Sequence, residues 1–231
     1  MNALRWRCVF SPLLMSLPLA LAGCGPEFAD VEGYTEIACT RDRPHIDDLR
    51  ISPVPDAFLL YSIGLKKNST EPPSVFLSAT RGEPCATATD VATCQAAVEE
   101  ARATSGFHRS CYHGDCSEYF ALTTRGDEVK LYTTVESLRE LLGTVDTEQE
   151  AVFLAYAADY AFLCDKVDQG GVKANPDGSF NVIGYKYSDC GEGPAIVQYV
   201  TQVSATGEVR ELEHHVMRHY KADCSLDMSN P

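Results

Sequence analysis

Basic charge is scarce in this 231-residue chain: 19 lysines and arginines stand against 33 aspartates and glutamates, a formal charge of −14. Such a surface repels phosphate backbones and anionic headgroups, so nucleic acid is not an expected partner and no basic patch is expected to hold a membrane. Tryptophan is reduced to Trp6 alone. Catalytic signatures are missing as well. There is no Gly-x-Ser-x-Gly elbow, phosphate-binding glycine loop, Cys-x-x-Cys pair or His-Glu-x-x-His motif. Serine-hydrolase, nucleotide, dithiol and zinc-protease chemistry are therefore left without a marker. No internal repeat or low-complexity tract is present, and no cofactor is expected.

What is present begins at the N-terminus. Met1 to Arg7 carries Arg5 and Arg7 and no acid, and Cys8 to Ala22 is a 15-residue apolar stretch broken only by Ser11, Pro12, Ser16 and Pro18. A basic start, an apolar stretch of this length and small residues at its end make a secretory signal peptide. The stretch falls short of the roughly 20 residues of a bilayer-spanning helix, and its prolines weaken it further. It closes on Leu21-Ala22-Gly23-Cys24. A leucine, two small residues and a cysteine in this position resemble the lipobox of bacterial lipoproteins. The resemblance covers the first 24 residues and implies acyl chains, palmitate among them, on Cys24, with cleavage just before it. In lipoproteins of two-membrane bacteria an aspartate after the cysteine signals inner-membrane retention. Gly25 stands there, so the resemblance implies the outer membrane, with the domain in the periplasm or on the cell surface. Each buried methylene contributes about 0.8 kcal/mol, so two or three acyl chains anchor a protein without any spanning helix.

The expected organisation is a signal peptide over residues 1–23, a lipidated tether over 24–36 and one exported domain over 37–231, with 37–116 as a candidate cysteine-rich subdomain. Processing removes two arginines and no acid, which takes the formal charge to −16. Setting aside Cys8 and Cys24 leaves eight cysteines: Cys39, Cys85, Cys94, Cys111, Cys116, Cys164, Cys190 and Cys224. An even number in an exported chain predicts up to four disulfides, although eight cysteines admit on the order of 100 connectivities. Local pairing favours Cys85 with Cys94 and Cys111 with Cys116, then Cys164 with Cys190. Cys39 and Cys224 remain and would tie the two ends together.

Phe58–Ile63 and Val75–Leu77 read as strands separated by Pro72-Pro73. Asp90 to Ala103 reads as a helix stopped by Ser105-Gly106. Glu118 to Thr124 and Glu128 to Thr133 flank Arg125-Gly126-Asp127, a hairpin turn and not an adhesion tripeptide. Thr133 with Glu136, and Thr147 with Glu150, have capping-box spacing. The helix after Thr147, read as Glu148 to Leu163, is apolar nearly all round and is expected at the centre of the core. Phe180 to Tyr187, Ala195 to Val203 and Glu208 to Tyr220 read as an antiparallel meander. Helices and hairpins in separate blocks predict an α+β fold: an antiparallel sheet or meander packed on a buried helix and stapled by disulfides.

Two histidine clusters are the candidates for metal chemistry, because tetrahedral zinc takes histidine and cysteine ligands. His108 and His113 lie beside Cys111 and Cys116, where a disulfide-closed loop is the competing expectation. His214, His215 and His219 form the other cluster. On a helix His215 and His219 would share a face; on a strand, the favoured reading, Leu212, His214, Val216 and Tyr220 would. Asp165, Asp168 and Asp177 miss the calcium-loop spacing and read as a solvated acidic loop. Asp159, a charge in an apolar helix, needs a hydrogen-bond partner.

The expectation that follows is a membrane-anchored envelope lipoprotein that binds an envelope protein or a small ligand without catalysing a reaction. Its body resembles other cysteine-rich bacterial lipoproteins. A metal-assisted envelope hydrolase using His214, His215 or His219 is the alternative, and a structural lipoprotein lacking a ligand-sized pocket is a third.

Overall fold

The computed structural model describes residues 28–40, 43–66, 70–112, 115–188 and 195–219. The stretches read as a signal peptide and a lipobox, with Cys24, lie outside them, as do His113, Cys190, Cys224 and the side chain of His219. Among the described residues no helix is long and apolar enough to cross a membrane.

Three two-residue strands come first: β1 (Thr35–Glu36), β2 (Cys39–Thr40) and β3 (Arg43–Pro44). They are followed by β4 (Ala57–Leu65), β5 (Ser74–Gly82), α1 (Val91–Glu100), β6 (Phe107–Tyr112), β7 (Asp115–Arg125) and β8 (Glu128–Tyr132). Then come α2 (Val135–Leu142), α3 (Glu148–Ala157), β9 (Gly171–Ala174), β10 (Phe180–Ser188), β11 (Ala195–Val203) and β12 (Val209–His219). One five-stranded sheet runs β1-β9-β10-β11-β12; a second runs β5-β4-β7-β6, with β8 on the second half of β7, and β2 and β3 pair as a small third sheet. All pairings among these strands are antiparallel. The meander of the last three strands and the β7–β8 hairpin are as expected from their turns. Arg125-Gly126-Asp127 is hairpin chemistry: Gly126 takes φ +54°, and Asp127 accepts hydrogen bonds from Thr89 and Asp90.

Helix α3 lies between the sheets. Every residue from Glu150 to Ala157 is buried, and Phe153 meets Phe58 and Phe107 edge-on at ring distances of 6.0 and 5.9 Å. The same core takes in Val182, Phe180 and Val203 from the first sheet and Phe58, Leu60 and Ala121 from the second. Strand β4 is buried on both faces, which explains its continuous apolar run. Phe58 and Leu60 belong to the core around α3, while Ala57 and Leu59 pack with Val98 and Ala101 from α1 and the residue after it. On the far face of the first sheet, Ala29 packs with Ile183 and Val200 and donates its N–H to Gln198 Oε1 at 2.9 Å. The stretch read as a tether is therefore packed against the sheet from Ala29, because Gln198 supplies an acceptor for its backbone.

Three sequence expectations need correction. The cap of α2 is Thr134 with Ser137, not Thr133 with Glu136; a serine hydroxyl closes the reciprocal bond as well as a carboxylate. Helix α3 ends at Ala157, not Leu163. Asp159 takes the left-handed conformation at φ +69°, and Tyr160 N–H donates to the Ala155 carbonyl, so the chain turns back. Aspartate tolerates that conformation better than most residues but is a weaker stop signal than glycine. Ala161 then bridges to Tyr185 in β10 and delivers Phe162 into the core.

The third correction concerns the disulfides. Cys85–Cys94 and Cys111–Cys116 form as expected from proximity. Cys164 is joined to Cys39, with Cα atoms 5.6 Å apart, in place of the expected pairs Cys164–Cys190 and Cys39–Cys224. The early turn after α3 is the cause. It carries Cys164 to the N-terminal strands, where Ile37 N–H already donates to the Gly170 carbonyl at 3.0 Å.

Candidate functional site

The histidines do not converge. β12 is a strand, as favoured, so neighbouring residues point to opposite sides of the sheet. His214 lies opposite Tyr199, and His215 lies opposite Gln198. A bulge at Leu212 changes the expected phase: Glu211 faces Thr201 and Glu213 faces Val200, leaving Leu212 unpaired. Leu212 therefore drops out of the face it was expected to share with His214 and Val216. The extra residue places Glu211 on the side of His214, where its carboxylate stands 2.7 Å from Nδ1. Among the described residues no three histidine, cysteine, aspartate or glutamate side chains are grouped to hold a metal ion. Cys111 and Cys116 are bonded to each other and offer no thiolate.

His108 serves the core. It adopts φ +54° and is 7% exposed. Its ring stacks on Tyr156 at 3.6 Å, and Nδ1–H donates to the Tyr156 carbonyl at 2.8 Å. Burial pulls its pKa down to about 4, a shift that the Tyr156 carbonyl and Asp159 oppose and Lys186 reinforces. Asp159 has the partner its charge required: it accepts the Arg109 N–H at 2.8 Å. Nearby, Lys186 Nζ sits 3.8 Å from the centre of the Tyr160 ring and donates to the Ala158 carbonyl at 3.0 Å. Burial lowers the Lys186 pKa and pushes the Tyr160 hydroxyl up to about 12. This cluster clamps the end of α3 between the sheets.

A pH prediction follows. The unfolded imidazole takes up a proton near pH 6.5, whereas the folded one resists it until about 4, so the unfolded state binds more protons between those values. Stability is fully present above about 6.5, declines as pH falls and has lost about 3 kcal/mol by pH 4. The groups facing His108 are Tyr119 from β7, Tyr156 and Asp159 at the end of α3, and Lys186 from β10. Unfolding midpoints measured from pH 7 to 4 should fall steeply for the native chain and clearly less for His108→Gln; parallel curves would refute the assignment.

A concavity with room for a ligand lies elsewhere, at the N-terminal end of α3. It is a cleft of about 570 Å³ lined by Glu36, Ile37, Ala38, Asp47, Asp48, Leu49, Arg50, Thr147, Glu148, Gln149, Val152 and Val172. That volume falls in the usual range for small-molecule sites. Ile37, Leu49, Val152 and Val172 lie beneath it and are each no more than 3% exposed, so the surface that the cleft offers is mostly polar. Four carboxylates stand around it with one guanidinium, Arg50, which already pairs with Asp146 at 3.3 Å.

Both walls are held in place. The wall through Asp47 to Arg50 is tied from one side by Arg81, whose guanidinium donates to the carbonyls of Ile46, Asp47 and Leu49. From the other side the buried Glu150 carboxylate accepts the Arg50 N–H at 2.5 Å. The opposite wall, through Ile37 and Ala38, is pinned by the Cys39–Cys164 bond and the Ile37–Gly170 hydrogen bond. Sequence reasoning did not find this site. The adjacent pair Asp47-Asp48 and the Thr147 cap were visible signals, but their convergence is tertiary.

The chain matches no protein-family model and no curated protein, and no solved structure matches its fold.

Proposed function

We propose that this chain is an exported lipoprotein, anchored in the outer membrane through lipid on Cys24, whose single α+β domain is a binding module. The observation that carries the binding role is the braced cleft at the N-terminal end of α3, about 570 Å³ in volume and lined mostly by polar groups. Three disulfides among the described residues support an oxidising compartment. The basic N-terminus, apolar stretch and Leu21-Ala22-Gly23-Cys24 support lipidation. A formal charge of −16 after processing argues for partners other than nucleic acid.

Cys24→Ser tests the anchor. The native chain is expected in the membrane fraction with incorporated radiolabelled palmitate. The variant is expected in the soluble fraction, unlabelled, with an unchanged unfolding midpoint. Retention of Cys24→Ser on salt-washed membranes would reject the lipid anchor.

One observation favours a second reading, a hydrolase. The His214–Glu211 pair has the spacing of a base and its orienting carboxylate, beside Tyr199. It lies on β12 and lines no part of the cleft. His214→Ala is silent under the binding reading and abolishes turnover under this one.

A further inference from the structure

We propose that Cys111–Cys116 is a thiol-exchange site: a small external thiol opens the bond by attacking Cys111, and Cys116 is the sulfur that leaves. This goes beyond the binding-module reading and depends on neither the cleft nor the lipid anchor.

The three described disulfides are not equally open to a reagent. Cys85 and Cys94 are at most 2% exposed, and Cys39 and Cys164 are half-buried. Cys111 is exposed and lies on β6, the outermost strand of its sheet, while Cys116 is half-buried opposite it on β7. Exchange needs a thiolate to reach a sulfur directly, and exposed disulfides are the labile ones. Of this pair, Cys111 is the sulfur within reach.

The other sulfur has a cation beside it. Arg109 Nη2 lies 3.9 Å from Cys116 Sγ. That side chain is placed from both ends. Its backbone N–H donates to Asp159 at 2.8 Å, and its Nη1 faces the Glu118 carboxylate at 3.8 Å. Glu118 is itself buried and accepts the Gly106 N–H at 2.7 Å. A guanidinium in this place stabilises the negative charge that develops on a departing sulfur, and a sulfur so stabilised leaves faster.

In the exchange the external thiolate forms a bond to Cys111 Sγ as the Cys111–Cys116 bond breaks. The electron pair of the broken bond goes to Cys116, which departs as a thiolate beside Arg109. One thiol is consumed and one is released, so no oxidant or reductant is required. The strands outlast the opening. Ser110 still pairs with Ser117 and Tyr112 with Asp115, and β4 holds the other side of β7 as far as the Leu65–Cys116 pair. Cys116 therefore stays opposite Cys111 and can attack the mixed disulfide, expelling the small thiol and restoring the bond. A separation of 5 residues also makes this the disulfide whose opening frees the unfolded chain least.

The experiment treats the full, oxidised chain with 2-mercaptoethanol, then quenches with acid, alkylates free thiols and maps the peptides by mass. A mixed disulfide on Cys111 with an alkylated Cys116 is expected, formed at least about tenfold faster than any opening of Cys85–Cys94 or Cys39–Cys164. The unfolding midpoint of the opened chain should stay close to that of the oxidised one. Arg109→Gln should slow the opening by about threefold or more, and Arg109→Lys, which keeps the charge, should recover much of the rate. The order of opening in the native chain requires no variant, so it decides the matter even if Arg109→Gln folds poorly. Earlier opening of either other disulfide, an adduct on Cys116 in place of Cys111, or loss of all three bonds in step with unfolding overturns the proposal. An equal rate in folded Arg109→Gln overturns the role given to Arg109.

Discussion

Replacing Cys39 and Cys164 together with serine is expected to remove about 5 kcal/mol of stability, the largest loss from cutting any one of the described disulfides. The two residues are separated by 125 positions, against 9 for Cys85–Cys94 and 5 for Cys111–Cys116. In the chain-entropy account a cross-link stabilises by shrinking the unfolded ensemble, and its effect grows with the logarithm of the loop it closes. The two shorter bridges lie inside the long loop and shorten it only slightly. Cys85→Ser/Cys94→Ser should therefore cost less, about 2.5 kcal/mol. Denaturant midpoints of the paired variants, with the slope m recorded, check the order. Equal losses would show that strain or residual structure outweighs loop length here. Pairing the substitutions avoids a lone thiol.

Glu150→Ala should destabilise the chain by about 4 kcal/mol, since each stranded backbone donor costs about 1–3 kcal/mol and some recover a water. The side chain is fully buried, and its carboxylate accepts three N–H groups: Arg50 at 2.5 Å, Asp146 at 3.0 Å and Thr147 at 3.2 Å. Two of those bonds belong to the cap of α3. The third ties α3 to the wall of the cleft from 100 residues away in sequence. Thr147→Ala, which removes only the cap hydroxyl, should cost about 1 kcal/mol. Glu150→Gln keeps one acceptor oxygen but turns an amide donor towards donors, and should fall between the two. If Glu150→Ala cost no more than Thr147→Ala, the long-range bond to Arg50 would contribute nothing. A double-mutant cycle of Glu150→Ala with Thr147→Ala gives the coupling directly.

Glu150 also marks the boundary between what was legible and what was not. Its capping role follows from three-residue spacing to Thr147, a local pattern that any reader of the chain can see. Its bond to Arg50 follows from no spacing at all. The histidines divide in the same way. The strand state of residues 209–219 follows from the Ala205-Thr206-Gly207 turn, but the bulge at Leu212 that brings Glu211 to His214 depends on how β12 fits against β11. Helix α3 was expected six residues too long because an all-apolar stretch carries no periodicity from which to read an end. Asp159 was taken as a charge within a helix when it is the residue on which the chain reverses.

What the residues alone determined is what neighbours in sequence can decide: the short-range pairs Cys85–Cys94 and Cys111–Cys116, the hairpin at Gly126 and the central place of α3. Those rest on backbone preferences, hydrophobic periodicity and loops short enough to close on themselves. Tertiary structure decided the partner of Cys39, the meeting of Glu211 with His214 and the existence of the cleft. Each of these depends on packing α3 between two sheets, a long-range choice made by burial, to which separations of a hundred residues are only a weak logarithmic penalty.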